Sequence, residues 1–363
     1  MSIRPIQIIV RNSIISGMLL FLFLMPRPVI SQTGGYGVYR FLELPWYPRA
    51  AALGGTVVSL PDTSINNVLS NPSLLNAGMP GNLSVNYTSY FAGIGFGSAI
   101  TSFRLPVPGT FAAGVTFIRY GEFTAADENG MITGTFRAAE YSLPLSYART
   151  IDSLFSAGVT IRPVFSSLEQ YHSFGISIDI GASWHSRSGL STAGILIRNL
   201  GVQLTSYVPG HREPVPAEIL AGFSQKLQYA PFRFVLTARQ LQRPNLIYKT
   251  SGVAVSEYNP TGMQTGSVPE GFGRVTENFM RHIIAGIEFL PMQNMSFSFG
   301  YNYQRRKELQ TASRVGMVGF SWGFRLHISK FTVSYGRATY HLAGASNQFS
   351  VSTGISRFFP GGL

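Results

Sequence analysis

The chain has 363 residues, no cysteine, 13% aromatic residues, only 12% charged residues and a net charge of +12. A soluble globular protein carries about twice that charged fraction, and a chain without thiols has no disulfide, thiolate metal site or cysteine nucleophile. A helical membrane protein needs apolar runs of roughly 18 or more residues, and none occurs after the first 31 residues.

Residues 1–31 read as a signal peptide. Arg4 and Arg11 supply a positive start, residues 14–25 are apolar apart from Ser16 and Gly17, and Val29 and Ser31 precede a cut ahead of Gln32. The apolar run is short and ends at Pro26-Arg27-Pro28, which disfavours a membrane anchor. Removing it takes Arg4, Arg11 and Arg27 and leaves +9. The remaining charges are scattered and form no nucleic-acid motif. Attraction to lipopolysaccharide phosphates is the better match, with a merely basic surface as the alternative.

Residues 32–81 do not alternate as membrane strands do. Arg49-Ala50-Ala51-Ala52-Leu53-Gly54-Gly55 is small and tight. Asp62 is expected to cap a short helix through Leu69, its carboxylate accepting first-turn N–H groups. Asn71-Pro72-Ser73 then ends that helix, since a residue before proline avoids the α region. The segment suits a plug inside a wide barrel; a periplasmic arm is the alternative.

From residue 82 onward the pattern is period two, the signature of strands. In residues 295–304, Met295, Phe297, Phe299, Tyr301 and Tyr303 alternate with Ser296, Ser298, Gly300, Asn302 and Gln304. Fourteen strands are expected, at 83–91, 94–104, 110–121, 136–149, 154–166, 172–185, 191–200, 217–228, 231–239, 280–290, 293–304, 312–324, 326–337 and 347–358. They exceed typical soluble strands in length, and aromatics such as Tyr87, Tyr90, Phe91, Phe358 and Phe359 gather near their ends. Even-numbered connections are short: 105–109, 150–153, 186–190, 229–230, 291–292 and a turn at Arg325. Odd ones are mostly longer: 122–135, 201–216, 240–279, 305–311 and 338–346. Short periplasmic turns and long outer loops are the asymmetry of outer-membrane barrels. The expected fold is thus all-β, a 14-stranded antiparallel transmembrane barrel over residues 82–363, with a plug at 32–81.

Asn71-Pro72-Ser73 is, with one substitution, similar to the Asn-Pro-Ala-like plug motif of the fatty-acid-transporter class of outer-membrane barrels. A narrower resemblance is to the PorQ family of the type IX secretion system, related in turn to PorV. It rests on Phe41-Leu42-Glu43-Leu44-Pro45 followed by residues 49–55, on Asn71-Pro72-Ser73-Leu74-Leu75, on Arg281-His282-Ile283 with residues 286–291, and on residues 300–308. Residues 334–347, Ser334-Tyr335-Gly336-Arg337 through Ser346-Asn347, resemble that family most. Trp46-Tyr47-Pro48 and residues 240–279 depart from it. The resemblance implies a non-enzymatic component of the attachment complex, holding a PorZ-like surface subunit beside a PorU-like sortase and a PorV-like shuttle barrel. That complex joins cargo to lipopolysaccharide. The wider class implies an alternative, passive transport of hydrophobic small molecules.

No catalytic set emerges. His172, His185, His211, His282, His327 and His341 lie in separate segments without metal-ligand spacing, so neither metal nor cofactor is expected. A serine–histidine pair at His172 or His341 lacks a supporting pattern. Arg305, Arg306 and Lys307 are candidates for contact with lipopolysaccharide phosphate or a partner, since a guanidinium grips phosphate with two donors. The long connection at 240–279 is the candidate partner-docking loop, with Arg243, Tyr248, Lys249, Tyr258 and Phe272 as contacts.

Overall fold

The computed structural model describes residues 37–152, 154–247, 272–309, 316–341 and 344–355. The expected signal peptide lies outside the described residues, as do Tyr248, Lys249, Tyr258, Phe358 and Phe359.

The strands are β1 (Asn82–Ser89), β2 (Gly95–Phe103), β3 (Thr110–Ala126), β4 (Ile132–Ser142), β5 (Leu145–Thr150), β6 (Phe155–Leu168), β7 (Tyr171–His185) and β8 (Ser191–Thr205). They continue as β9 (Glu218–Lys226), β10 (Phe232–Ala238), β11 (Ile283–Met292), β12 (Met295–Asn302), β13 (Phe320–Ile328), β14 (Phe331–His341) and β15 (Gly344–Gly354). Among the described residues three α-helices accompany them: α1 (Pro48–Ala52), α2 (Phe272–His282) and α3 (Tyr303–Leu309). Every described pairing is antiparallel; strands pair with their chain neighbours except that β4 and β5 each pair with both β3 and β6, and β15 returns to β1, with Asn82 opposite Gly354 and Ser89 opposite Asn347. The sheet is closed.

Alternation decides which face meets what. In β1, Ser84, Asn86 and Thr88 are buried, whereas Val85 and Tyr87 are each 52% exposed. In β12, Ser296 and Ser298 are buried and Phe299 is 52% exposed. In these strands small polar groups face the inside and large apolar ones the outside, the reverse of a soluble sandwich. A closed sheet also leaves no edge N–H or C=O to meet hydrocarbon. The chain is a transmembrane β-barrel of the outer-membrane kind. No described helix is long and apolar enough to cross a membrane; the crossing is by strands.

The barrel has fourteen crossings, one of them broken in two. The expected strand 136–149 is β4 plus β5. Both halves pair with β3 and β6 in one register: Ser142 faces Thr116 and Val164, and Leu145 faces Ala113 and Ile161. Two prolines make the break. Gly114 N donates to Pro144 O at 3.0 Å and Leu143 N to Pro163 O at 3.1 Å, but neither proline has an N–H to return the bond.

Several expected boundaries are corrected. Residues 122–135 and 338–346 are not loops: β3 runs to Ala126 before β4 resumes at Ile132, and β14 runs to His341 before β15 starts at Gly344. The backbone ladders run on through these residues, which side-chain composition alone does not reveal. The turn expected at Arg325 falls at Ser329–Lys330, because Arg325 is a strand residue with a partner inside the barrel. Strand β13 starts at Phe320 instead of 312, after α3. The connections at 206–217, 239–282 and 303–319 remain long and share one end, the loop end; the turns at 104–109, 186–190 and 329–330 share the other, the turn end.

Candidate functional site: the plug and its seat

Residues 37–81 occupy the barrel interior from the loop end to the turn end. At the start, Val38 N donates to Pro214 O (3.1 Å) in the β8–β9 connection; at the finish, Gly81 N donates to Ser102 O (2.7 Å) near the end of β2. The first stretch is apolar. Phe41, Leu42 and Trp46 are buried with Phe96, Ile100, Ile118 and Val164 of the facing wall, and Trp46 meets Phe96 edge-on at 5.8 Å. Burying aromatics against aliphatic wall residues is the strongest non-directional term available. Tyr39 anchors this arm by a 2.5 Å hydrogen bond to Ser173 Oγ, and burial raises its phenol pKa.

The Asn71-Pro72-Ser73 motif has a different seat. Asn71 Oδ1 accepts from Ser73 N (3.0 Å) and Ser73 Oγ (2.8 Å), capping the 3-10 turn Pro72–Leu74, and Nδ2 donates to Val58 O (2.8 Å). The wall beneath carries Gly158, Gly181 and Gly194. A Cβ at Gly181 would stand 2.0 Å from Asn71 Oδ1, and one at Gly194 2.3 Å from Val58 O. A second glycine row lies on β11–β14. Cβ atoms at Gly300, Gly323 and Gly336 would stand 2.3 Å from Gly54 N, 2.8 Å from Ala52 Cβ and 2.3 Å from Pro48 O. The run of small residues at 50–55 is thus explained: backbone packs against backbone on both sides.

Between the seats lies a buried charge cluster. Arg49 grips Glu288 with two donors, Nε to Oε1 and Nη2 to Oε2, both 2.7 Å, and its remaining nitrogen pairs with Asp62. Arg233 adds a 3.0 Å bond to Glu288, Ser298 Oγ a 3.2 Å bond, and Arg325 stands 3.5 Å from Asp62. The Glu288 side chain is fully buried. Burial pushes the Asp62 carboxyl up, but Arg49 and Arg325 outweigh it and hold the carboxyl well below the usual carboxylate range. Beside them burial raises the Tyr47 phenol to about 12. Asp62 is therefore not the cap expected of it. The short helix is a 3-10 turn, Ile65–Leu69, whose N-cap Ser64 makes no side-chain cap, and it ends before Asn71. Asp62 instead accepts from Ser64 N (3.2 Å) and Asn67 Nδ2 (2.7 Å) while binding arginine.

The other expected contacts are dispersed. Arg305, Arg306 and Lys307 sit in α3, not in an open hairpin. Arg305 Nη2 donates to Gly54 O at 3.1 Å, and Arg306 Nη1 to Gly316 O at 3.3 Å and Val318 O at 3.2 Å. Lys307 is exposed, its Nζ 5.7 Å from the Tyr303 ring centre. Arg243 is exposed beyond β10, and Phe272 opens α2. Among the described residues no group of three or more histidines and carboxylates is placed to hold a metal ion. Sequence reasoning missed the Arg49–Glu288 cluster; the only signal was that these charges interrupt strands and a small-residue run.

No protein-family model matches the sequence and no curated protein matches it. Solved structures resemble it in shape. The Ralstonia pickettii toluene transporter TbuX aligns with a TM-score of 0.49 at 12% identity, over 86% of this chain and 97% of that one. The Pseudomonas putida toluene transporter TodX aligns at 0.47 and 11%, over 85% and 97%. A Pseudomonas aeruginosa FadL homologue aligns at 0.47 and 12%, over 89% and 100%.

Proposed function

We propose that this chain is a plugged, non-catalytic outer-membrane barrel that serves as a membrane anchor in a type IX secretion attachment complex. In this reading its loop end faces the cell exterior and holds a PorZ-like subunit, beside a PorU-like sortase and a PorV-like barrel, where cargo is joined to lipopolysaccharide. The observation that carries it is the fixing of the plug on opposite walls. Two glycine seats admit its backbone at contact distance, and the Arg49–Glu288–Asp62 cluster ties it between them. An anchor needs a sealed, rigid wall and no path. The PorQ-like strings at 41–45, 49–55 and 334–347 supply the choice of partners. Affinity purification from the outer membrane in mild detergent tests it. Co-purification of a large surface subunit is expected; a monomer that retains hydrophobic small molecules overturns it.

One observation favours a second reading, passive passage of hydrophobic small molecules. The arm from Val38 to Trp46 lies on an apolar wall and, among the described residues, makes no ion pair to that wall. Displacing it would bare an apolar surface inside the lumen. Two of the structures alike in shape are those of toluene transporters. Uptake of a labelled aromatic hydrocarbon into vesicles holding the purified barrel, above barrel-free vesicles, would select this reading over the anchor.

A further inference from the structure

Helix α2 has its faces inverted. Its polar side is turned into the protein: Asn278 Nδ2 donates to Pro244 O (2.6 Å), Asn278 Oδ1 accepts from Leu246 N (2.7 Å), and His282 Nδ1 lies 2.8 Å from Arg239 O. Its apolar side is turned away. Val275 is 66% exposed, Phe279 62% and Met280 36%. Val275 and Phe279, four residues apart, share a face. A helix on a water-soluble surface buries its apolar stripe and wets its polar one; here the opposite holds.

The position of α2 says what meets the stripe. Its last residue, His282, is followed directly by Ile283 of β11, so the helix stands on the rim of the barrel wall at the loop end. The wall below turns large apolar groups outward, with Phe234 49%, Leu236 47% and Phe299 52% exposed. We propose that α2 lies in the headgroup–acyl boundary of the outer membrane, with Val275, Phe279 and Met280 immersed in lipid. Three side chains fall well short of the roughly 800 Å² per partner that a stable protein interface buries, but they suit shallow insertion of an interfacial helix. Hydrogen bonds from the polar face to residues 239–246 fix the helix to the rim, so its depth is set by the barrel.

The chain has no cysteine, so single substitutions give unique labelling sites. Full-length barrels carrying Phe279→Cys, Phe234→Cys or Arg212→Cys are labelled with an environment-sensitive fluorophore. They are then placed in phospholipid–lipopolysaccharide vesicles containing spin-labelled acyl chains. The label at 279 is expected to be quenched as strongly as that at 234 on the lipid-facing wall, with the loop site 212 unaffected. Quenching at 279 no greater than at 212 overturns the proposal. So does a label at 279 that acyl-chain quenchers reach only after residues 250–268 are deleted, or after a co-purifying protein is stripped. The first outcome assigns the stripe to another segment of this chain, the second to a protein partner.

Discussion

Glu288 accepts from two guanidiniums and a serine while its side chain is fully buried, so its charge depends on those partners. Removing one member of a buried pair leaves an uncompensated ion, at a cost of about 3–5 kcal/mol. Arg49→Ala is therefore expected to lower the thermal midpoint of the detergent-solubilised barrel and to make residues 38–81 accessible to protease. Asp62 sets the pH behaviour of the same contact. Its folded pKa lies below the ordinary 3.8, so its stabilisation is complete above that value and is lost as pH falls through it towards the folded value. Proteolysis of the plug should stay flat from neutral pH to about pH 5 and rise in stronger acid. Asp62→Asn should flatten that rise. At the motif, Gly181→Ala forces a methyl against Asn71 Oδ1. Overpacking of this kind costs about 1–3 kcal/mol, whereas Gly130→Asn, at an open left-handed turn position, should leave the thermal midpoint unchanged.

At the scale of elements, the break between β4 and β5 is a local consequence of two prolines and makes a prediction of its own. Pro144→Ala restores an N–H opposite Gly114 O, so hydrogen exchange should report a protected amide at 144. The midpoint should rise by the equivalent of about 1 kcal/mol. The strands were largely legible in the sequence because each crossing alternates and because long and short connections take turns. What failed has a common cause. Arg325 reads as a turn residue since a lone charge interrupts an apolar strand, yet its partner is Asp62, 263 residues earlier in the chain. The ends of β3 and β14 were missed because ladder hydrogen bonds join backbone groups, which side-chain composition does not reveal. In the site, Asn71-Pro72-Ser73 was readable because its bonds are local. Arg49 was visible only as part of a small-residue run, since Glu288 lies 239 residues away. Pairings of that range leave no periodic trace.

At the scale of the molecule, the barrel is a closed wall with an apolar outside and a serine- and threonine-rich inside, filled by its own N-terminal segment. A barrel of this strand number is wide enough to enclose a lumen, so excising the plug is expected to open a pore. A variant lacking residues 38–79 is expected to pass small sugars in a liposome-swelling assay that the full chain does not. Equal permeability of the two would mean that the plug does not set the barrier.

The seam where β15 meets β1 has a consequence for biogenesis. Within it Ser350 lies 3.3 Å from Ser84 Oγ and accepts from Asn66 of the plug at 3.3 Å, so the joint between first and last strands touches the plug from inside. The plug is also the earliest part of this structure to leave the ribosome, and the strand that shuts the ring is the latest. The finished joint thus resembles a cooper's: the first and last staves meet against the core.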